Sequence, residues 1–337
     1  MARPTVSIRY VHDAMLVAAA NGLDVDSILR WSGVTPEVLA SPLSRVSQAQ
    51  YSALIRRLQR LTRDEFWRLC PHQIPLGTFA QVCRTLTTYA SLEEALRAGA
   101  QCYHVATRDF TLRLAREGGI AVVRLADKLP SEERRRVVHT TILMVLHNLS
   151  SWLIDRRLPL LGVDFAFRPS SKSTEIEPLF QAPVQYEQLC TQMRFATRWL
   201  AEPVVQDVPS VQRLLRLTPG GLMVGYRDEK SFSERVRRRL RQRIATPLSL
   251  EAVADALRIS PIALRRRLSD EGQNFTQIRD EVRRDAAINL LREGLSVEEI
   301  ASSVGFSESS TFHRAFRRWT GVAPGAYRSQ QPAAQLP

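Results

Sequence analysis

The last third of the chain repeats itself. "LSLEAVADALRISPIALRRRLSDEG" starts at Leu248, and "LSVEEIASSVGFSESSTFHRAFRRWTG" starts at Leu295. Ser249 aligns with Ser296, Glu251 with Glu298, Val253 with Ile300, Ala254 with Ala301 and Ser260 with Ser307. From opening leucine to closing glycine the later copy is two residues longer, 27 against 25, and the alignment places the growth inside its second helix. In each copy a serine can cap a first helix, and an acidic side chain in the first turn suits the positive end of the helix dipole. A tight turn follows, then a second helix opened by Ser260 or Ser307 and closed by Gly272 or Gly321. Ala254 and Ala301 are small enough to let two helices cross closely. Such a pattern is helix-turn-helix architecture in duplicate.

Helical geometry sorts the side chains of each second helix. At about 100° per residue, Phe312, Phe316 and Trp319 share one stripe, while Ser310, His313, Arg314 and Arg317 take the opposite face. In the first copy Leu264 and Leu268 form the inner stripe, and Ile262, Arg265 and Arg266 point outward. A lone arginine-rich helical face is usually just solvated. Two equivalent faces, each behind a helix-turn-helix pattern, point instead to DNA. An arginine fork bonds two acceptors on a guanine edge or clamps a phosphate, and isoleucine suits a thymine methyl.

The preceding residues read as α+β. Short helices are broken at "NGLD" and "SGVTPE", and "FTLRLAREGGIAVVRLA" alternates about Gly118-Gly119 as a hairpin does. A long helix is expected over Ser131 to Arg157, then strands in "LGVDFAFRP" and "PVQYEQLCTQMRFA" separated by a short helix near Ile176 to Phe180. His139 and His147 on the long helix read as satisfied core histidines rather than as a pocket lining. Irregular Pro and Gly between Ala201 and Tyr226 indicate a boundary. The fold class is therefore multidomain, an α+β amino-terminal domain followed by an all-α carboxyl-terminal one. The expected division is 1–205, a linker at 206–229, helix-turn-helix units about 249–272 and 296–321 within 230–330, and a disordered tail at 331–337.

Charge supports an anionic partner. The 337 residues carry a net +13, and residues 230–337 alone hold 19 basic and 12 acidic side chains. Lys230 to Arg243 is expected to form the first helix of the carboxyl-terminal domain, with Arg237 and Arg238 at DNA phosphates. The four cysteines, Cys70, Cys83, Cys102 and Cys190, are scattered, which suits a reducing cytoplasm and neither a zinc site nor a disulfide framework. No stretch reads as a signal peptide or a bilayer span. An enzyme would need a constellation. "QCYHVATRD" offers only the closely spaced Cys102, His104 and Asp109, and no Gly-rich phosphate loop or metal-ligand cluster accompanies them. No catalytic residue, cofactor or metal is assigned.

The carboxyl-terminal region resembles the DNA-binding domain of the AraC/XylS family. The resemblance rests on Ala301, Gly305-Phe306, Phe312, Arg314, Phe316, Gly321, Pro324 and Tyr327-Arg328, with Arg283, Ala287 and Leu290-Leu291 in the connecting helix. More loosely, "GLDVDSILRWSGVTPEVL" and "GTFAQVCRTLTTYASLEEALRAG" resemble the arabinose-binding-like effector domain of one branch, which includes regulators of ornithine utilisation. The resemblance implies a transcription regulator, usually an activator, that responds to a small-molecule effector, works with RNA polymerase and forms a homodimer through its first domain. It implies base reading by Ile262, Arg265 and Arg266 and by Ser309, Ser310, His313 and Arg314, with Arg317 and Arg318 at phosphates. Here "SPIALRRRL" departs from the family's larger polar groups, so Arg265 and Arg266 carry most of the first unit's specificity. Repair proteins that share a related helix-turn-helix unit use a cysteine in a Pro-Cys-His-Arg context, and Cys70-Pro71-His72 is a different order. The alternative reading is a constitutive DNA-binding regulator whose first domain only dimerises.

Overall fold

The computed structural model describes residues 3–169, 176–226, 228 and 231–328. The expected tail at 331–337 and Lys230 lie outside these residues. Along the chain, β1 (Thr5–Ser7) runs directly into α1 (Ile8–Ala20), followed by α2 (Val25–Ser32), α3 (Pro36–Ala40), β2 (Arg45–Ser47) and α4 (Gln48–Thr62). Next come α5 (Thr78–Leu86), α6 (Leu92–Ala106), β3 (Phe110–Glu117), β4 (Ile120–Asp127) and α7 (Glu132–Leu153). After these lie β5 (Leu160–Asp164), α8 (Glu177–Phe180), β6 (Val184–Gln185), β7 (Thr191–Ala196) and α9 (Val208–Leu217). The remaining helices are α10 (Phe232–Gln242), α11 (Leu250–Ala256), α12 (Pro261–Asp270), α13 (Phe275–Leu290), α14 (Val297–Ser303) and α15 (Ser309–Thr320).

The chain packs as two compact units. One gathers Met1–His12, Val25–Leu54 and Arg227–Pro337, and the other Asp13–Asp24 and Ile55–Tyr226. This differs from the division expected from sequence, which kept residues 1–205 together. The first two segments carry β1, α2, α3 and β2, and these pack with the carboxyl-terminal helices.

In the second unit the sheet runs β3-β4-β7-β5-β6, antiparallel except for the β5–β6 pair. The expected hairpin is present. Phe110 faces Asp127 and Glu117 faces Ile120, with Gly118 at φ 61° in a two-residue turn whose twist needs that conformation. Helix α7 is capped by Ser131, which accepts from the Arg134 N–H at 3.2 Å. Its long apolar face buries Val138, Leu143 and Met144, and the strands bury Val123, Val163, Met193 and Phe195.

The expected linker is largely folded. Asp207 and Ser210 form a capping box at the start of α9, and Pro209 sits in its first turn, where no helical N–H is required. The proline that read as a break is a helix start. Leu222 and Met223 are then buried. The Asn148 amide donates to the carbonyls of Leu222 and Val224 at 2.9 and 3.2 Å and accepts from the Tyr226 N–H at 2.7 Å.

In the first unit the carboxyl-terminal helices share a core of Phe232, Val236, Leu240, Val253, Ala254, Leu264, Leu268, Phe275, Ile278 and Val282. These residues come from α10 to α13 and seat the first helix-turn-helix on the connecting helix. The Glu271 carboxylate accepts from the N–H groups of Phe232 and Ser233 at 2.8 Å each, which satisfies orphan donors at the start of α10.

Candidate nucleic-acid interface

Each helix-turn-helix is built by the same local rules. Ser249 caps α11 and Ser296 caps α14, the latter in a capping box with Glu299. The turns pass through the left-handed region at equivalent places, Arg258 at φ 57° and Gly305 at φ 80°. Glycine is demanded only at the second. A Cβ at 305 would come 2.6 Å from the Ile244 carbonyl and 2.9 Å from Pro247 Cγ.

Of the two extra residues of the second copy, one lies in its turn and the other before the closing glycine of its second helix. Four residues, 257–260, separate α11 from α12, and five, 304–308, separate α14 from α15. Ser260 caps α12 as expected, but Glu308 rather than Ser307 takes the N-cap position of α15 and makes no side-chain cap bond. One added residue shifts the register, so the aligned serine falls one place outside the helix. Glu308 still brings a negative charge to the positive end of α15.

The inner stripe of α15 packs as the periodicity predicts. Phe312 and Phe316 are fully buried, with ring centroids 5.5 Å apart, and Phe316 meets Tyr327 edge-on at 5.3 Å. Trp319 is half-buried and its indole N–H donates to Asp280 at 3.2 Å. Leu264 and Leu268 play the same part in α12.

The outward side chains of α12 and α15 face solvent for the most part. Ile262 is 76% exposed. Arg265, Arg266, Ser310, His313 and Arg314 are exposed, and Ser309 is half-buried. Arg314 donates to the Thr311 hydroxyl of its own helix at 3.4 Å. Arg267, next to the expected readers, is turned back over the Phe232 ring at 5.3 Å.

The expected phosphate contacts divide. Arg238 and Arg317 are exposed. Arg318 is exposed and paired with Asp280 at 3.1 Å. Arg237 is a correction: it is buried, and its guanidinium bonds Gln273 at 2.8 Å and Glu281 at 2.9 Å. Consecutive arginines on a helix point about 100° apart, so one member of the Arg237-Arg238 pair meets α13 while the other meets solvent.

Sequence reasoning missed two supporting residues. Asp280 holds both Trp319 and Arg318, and Glu271 caps α10. Arg283 lies 4.9 Å over the Phe306 ring, and burial lowers its pKa from the usual guanidinium value. Its spacing in α13 was legible, but its target was not.

The other unit assembles no catalytic constellation from Cys102, His104 and Asp109. Buried Asp109 accepts from the His72 N–H at 2.7 Å and lies 2.6 Å from His72 Nδ1, while His104 is exposed. His139 is buried between Asp127 at 2.9 Å and Thr191 at 2.7 Å, and His147 lies 2.8 Å from the Leu158 carbonyl. Both are satisfied core histidines. An open groove of about 920 Å³ runs beside α5 and α6, lined by Leu76, Gln81, Arg84, Tyr89, Cys102 and Val105 among others. Among the described residues no helix is long and apolar enough to cross a membrane, and no three His, Cys, Asp or Glu side chains are grouped to hold a metal ion.

Residues 22–204 match the arabinose-binding domain of AraC transcription regulators, and residues 253–330 match a helix-turn-helix domain. The chain belongs to the AraC transcription regulator family. The ornithine utilization regulator of Pseudomonas aeruginosa is 26% identical to this AraC-family chain over 325 residues, 96% of each. The regulator VirS of Mycobacterium tuberculosis is 39% identical over 104 residues, 30% of this chain and 31% of its own. The transcriptional regulator CdpR of Pseudomonas aeruginosa, a crystal structure, matches 81% of this chain and 96% of that one at 22% identity, with a TM-score of 0.31. This AraC-family protein is thus a transcription regulator rather than an enzyme, with a DNA-binding helix-turn-helix domain behind an α+β domain of the effector-binding type.

Proposed function

We propose that the protein is an effector-responsive activator that reads two successive major-groove segments of an operator through α12 and α15. The observation that carries this reading is the pair of equivalent, solvent-facing surfaces on two helix-turn-helix units joined by one connecting helix. In it, Ile262, Arg265 and Arg266 read bases from the first unit, and Ser309, Ser310, His313 and Arg314 read from the second. Arg238, Arg317 and Arg318 take the phosphates, and Arg237 fixes α10 from within. Effector binding and dimerisation belong to the α+β part that lies within residues 1–205. The bound activator meets RNA polymerase in the cytoplasm.

Similarity to the ornithine utilization regulator along 96% of the chain supports an amino acid as effector and a catabolic operon as target. Ligand control is then linkage: the effector binds the DNA-competent arrangement more tightly than the other.

Footprinting upstream of the chain's own and neighbouring genes tests the reading, with and without basic amino acids at near-physiological salt. Two protected major-groove segments on one DNA face, strengthened by an amino acid, are expected. Identical protection under every ligand would favour a constitutive regulator, and salt-sensitive smearing alone would remove the sequence-reading claim.

A further inference from the structure

The amino-terminal segments that pack with the carboxyl-terminal helices converge on two places. The first is the end of α15. The hydroxyls of Ser41 and Ser44 both donate to the Thr320 carbonyl, at 2.7 and 3.0 Å. Just beyond, the Thr35 hydroxyl donates to the Ala326 carbonyl at 2.7 Å, and the Arg45 N–H donates to the Tyr327 phenol oxygen at 3.1 Å. The last carbonyls of a helix have no partner within it, and here a distant part of the chain supplies donors. Gly321 closes α15 at φ 76°, and a side chain there would strike Ser41.

The second place is α13. The Thr5 hydroxyl donates to Asp285 at 2.6 Å, and both residues are buried. A desolvated carboxylate needs such donors, and Arg284 adds another at 3.2 Å. Arg45 steadies Thr5 by donating to its hydroxyl and carbonyl oxygens at 2.8 and 2.7 Å. The Asn289 amide donates to the Arg3 carbonyl at 3.0 Å and Arg292 donates to the Ser47 hydroxyl at 2.9 Å. Meanwhile Ser310, His313 and Arg314 stay exposed. The contact grips the far end of α15 and leaves its outward face open.

We infer that the DNA-binding module is bipartite: residues 3–12 and 25–54 form a brace that fixes α15 and α13 through Ser41, Ser44 and Thr5, and DNA affinity depends on it. Its affinity half rests on the DNA-reading role proposed above, and its structural half does not. Because the outward face is open, the brace supports binding and does not block it.

The test uses the full chain. Ser41→Ala with Ser44→Ala, and separately Thr5→Val, are compared with Arg265→Ala by amide hydrogen exchange without DNA, then by affinity for the footprinted fragment. In both brace variants, exchange should quicken about tenfold at 275–291 and 309–328 while 250–270 keeps its protection. Affinity should fall several-fold. Thr5→Ser, which keeps the hydroxyl, should restore both and so separates the bond from general misfolding. Unchanged exchange in both brace variants would overturn the brace. Quickened exchange with undiminished affinity would overturn the bipartite module. A parent chain that binds no DNA would sink the reading role, while the exchange data would still judge the brace.

Discussion

Arg237 of α10 and Glu281 of α13 form a largely buried ion pair, 2.9 Å apart, that ties the first helix of the carboxyl-terminal domain to the connecting helix. Removing Arg237 leaves the half-buried Glu281 carboxylate without its cation, with the Gln277 amide still 3.5 Å away. Arg237→Ala should destabilise the fold by about 3–5 kcal/mol, measured by chemical denaturation. The adjacent Arg238→Ala should leave stability within about 0.5 kcal/mol and weaken binding to all DNA sequences, with a flatter salt dependence. If Arg237→Ala behaved like Arg238→Ala, the pair would be contributing nothing.

Arg266 and Arg314 occupy exposed positions on the two reading helices. Replacing either with Ala should cost about 1–3 kcal/mol on the operator and relax preference at particular base pairs. Binding assays on operator variants and on random DNA separate the outcomes. Equal losses on both would mark the residue as a phosphate contact.

Gly305 and Gly272 have similar positive φ values, 80° and 64°, but different surroundings. A Cβ at 272 meets nothing within 4 Å, whereas one at 305 runs into the Ile244 carbonyl and Pro247. Gly272→Ala should therefore cost about 1 kcal/mol and Gly305→Ala about 2–4 kcal/mol. Thermal unfolding of the two variants decides it, and equal Tm losses would contradict close packing of the second turn.

His139 and His147 carry a pH dependence whose sign follows from burial. Burial lowers His139 to about 4 against an opposing pull from Asp127. Burial, with the Arg157 charge nearby, lowers His147 to about 3. Below the ordinary histidine value of about 6.5 the unfolded chain takes up protons that the folded chain refuses, so stability falls as pH drops from about 6.5 toward 4. Each histidine contributes up to about 1.4 kcal/mol per pH unit in that window. Urea denaturation between pH 7.5 and 5 should show the decline, and His139→Gln should make it shallower. An unchanged slope would place the pH dependence elsewhere.

Much of the carboxyl-terminal domain was legible because its determinants are local. Caps at Ser249, Ser260 and Ser296, and a stripe of Phe312, Phe316 and Trp319, are written within a few residues of the helices they specify. The hairpin about Gly118 was legible for the same reason. Register across a turn was not. The added residue that moved the cap of α15 from Ser307 to Glu308 could sit in the turn or in the helix without altering the aligned pattern. The folded 206–226 stretch was hidden by prolines, which mark helix starts as well as breaks.

By itself, then, the sequence determined which helices form and which faces they bury, since propensity, capping and period act over one or two turns. Only the tertiary structure decided which polar groups are spent on folding. Arg237 and Arg238 are identical letters, yet one is committed to Glu281 and the other is open to solvent. Thr5 and Asp285 lie 280 positions apart and are joined by a hydroxyl and a carboxylate. Hydrogen bonds between such distant groups leave no period to read, because their partner is set by the packing of whole elements.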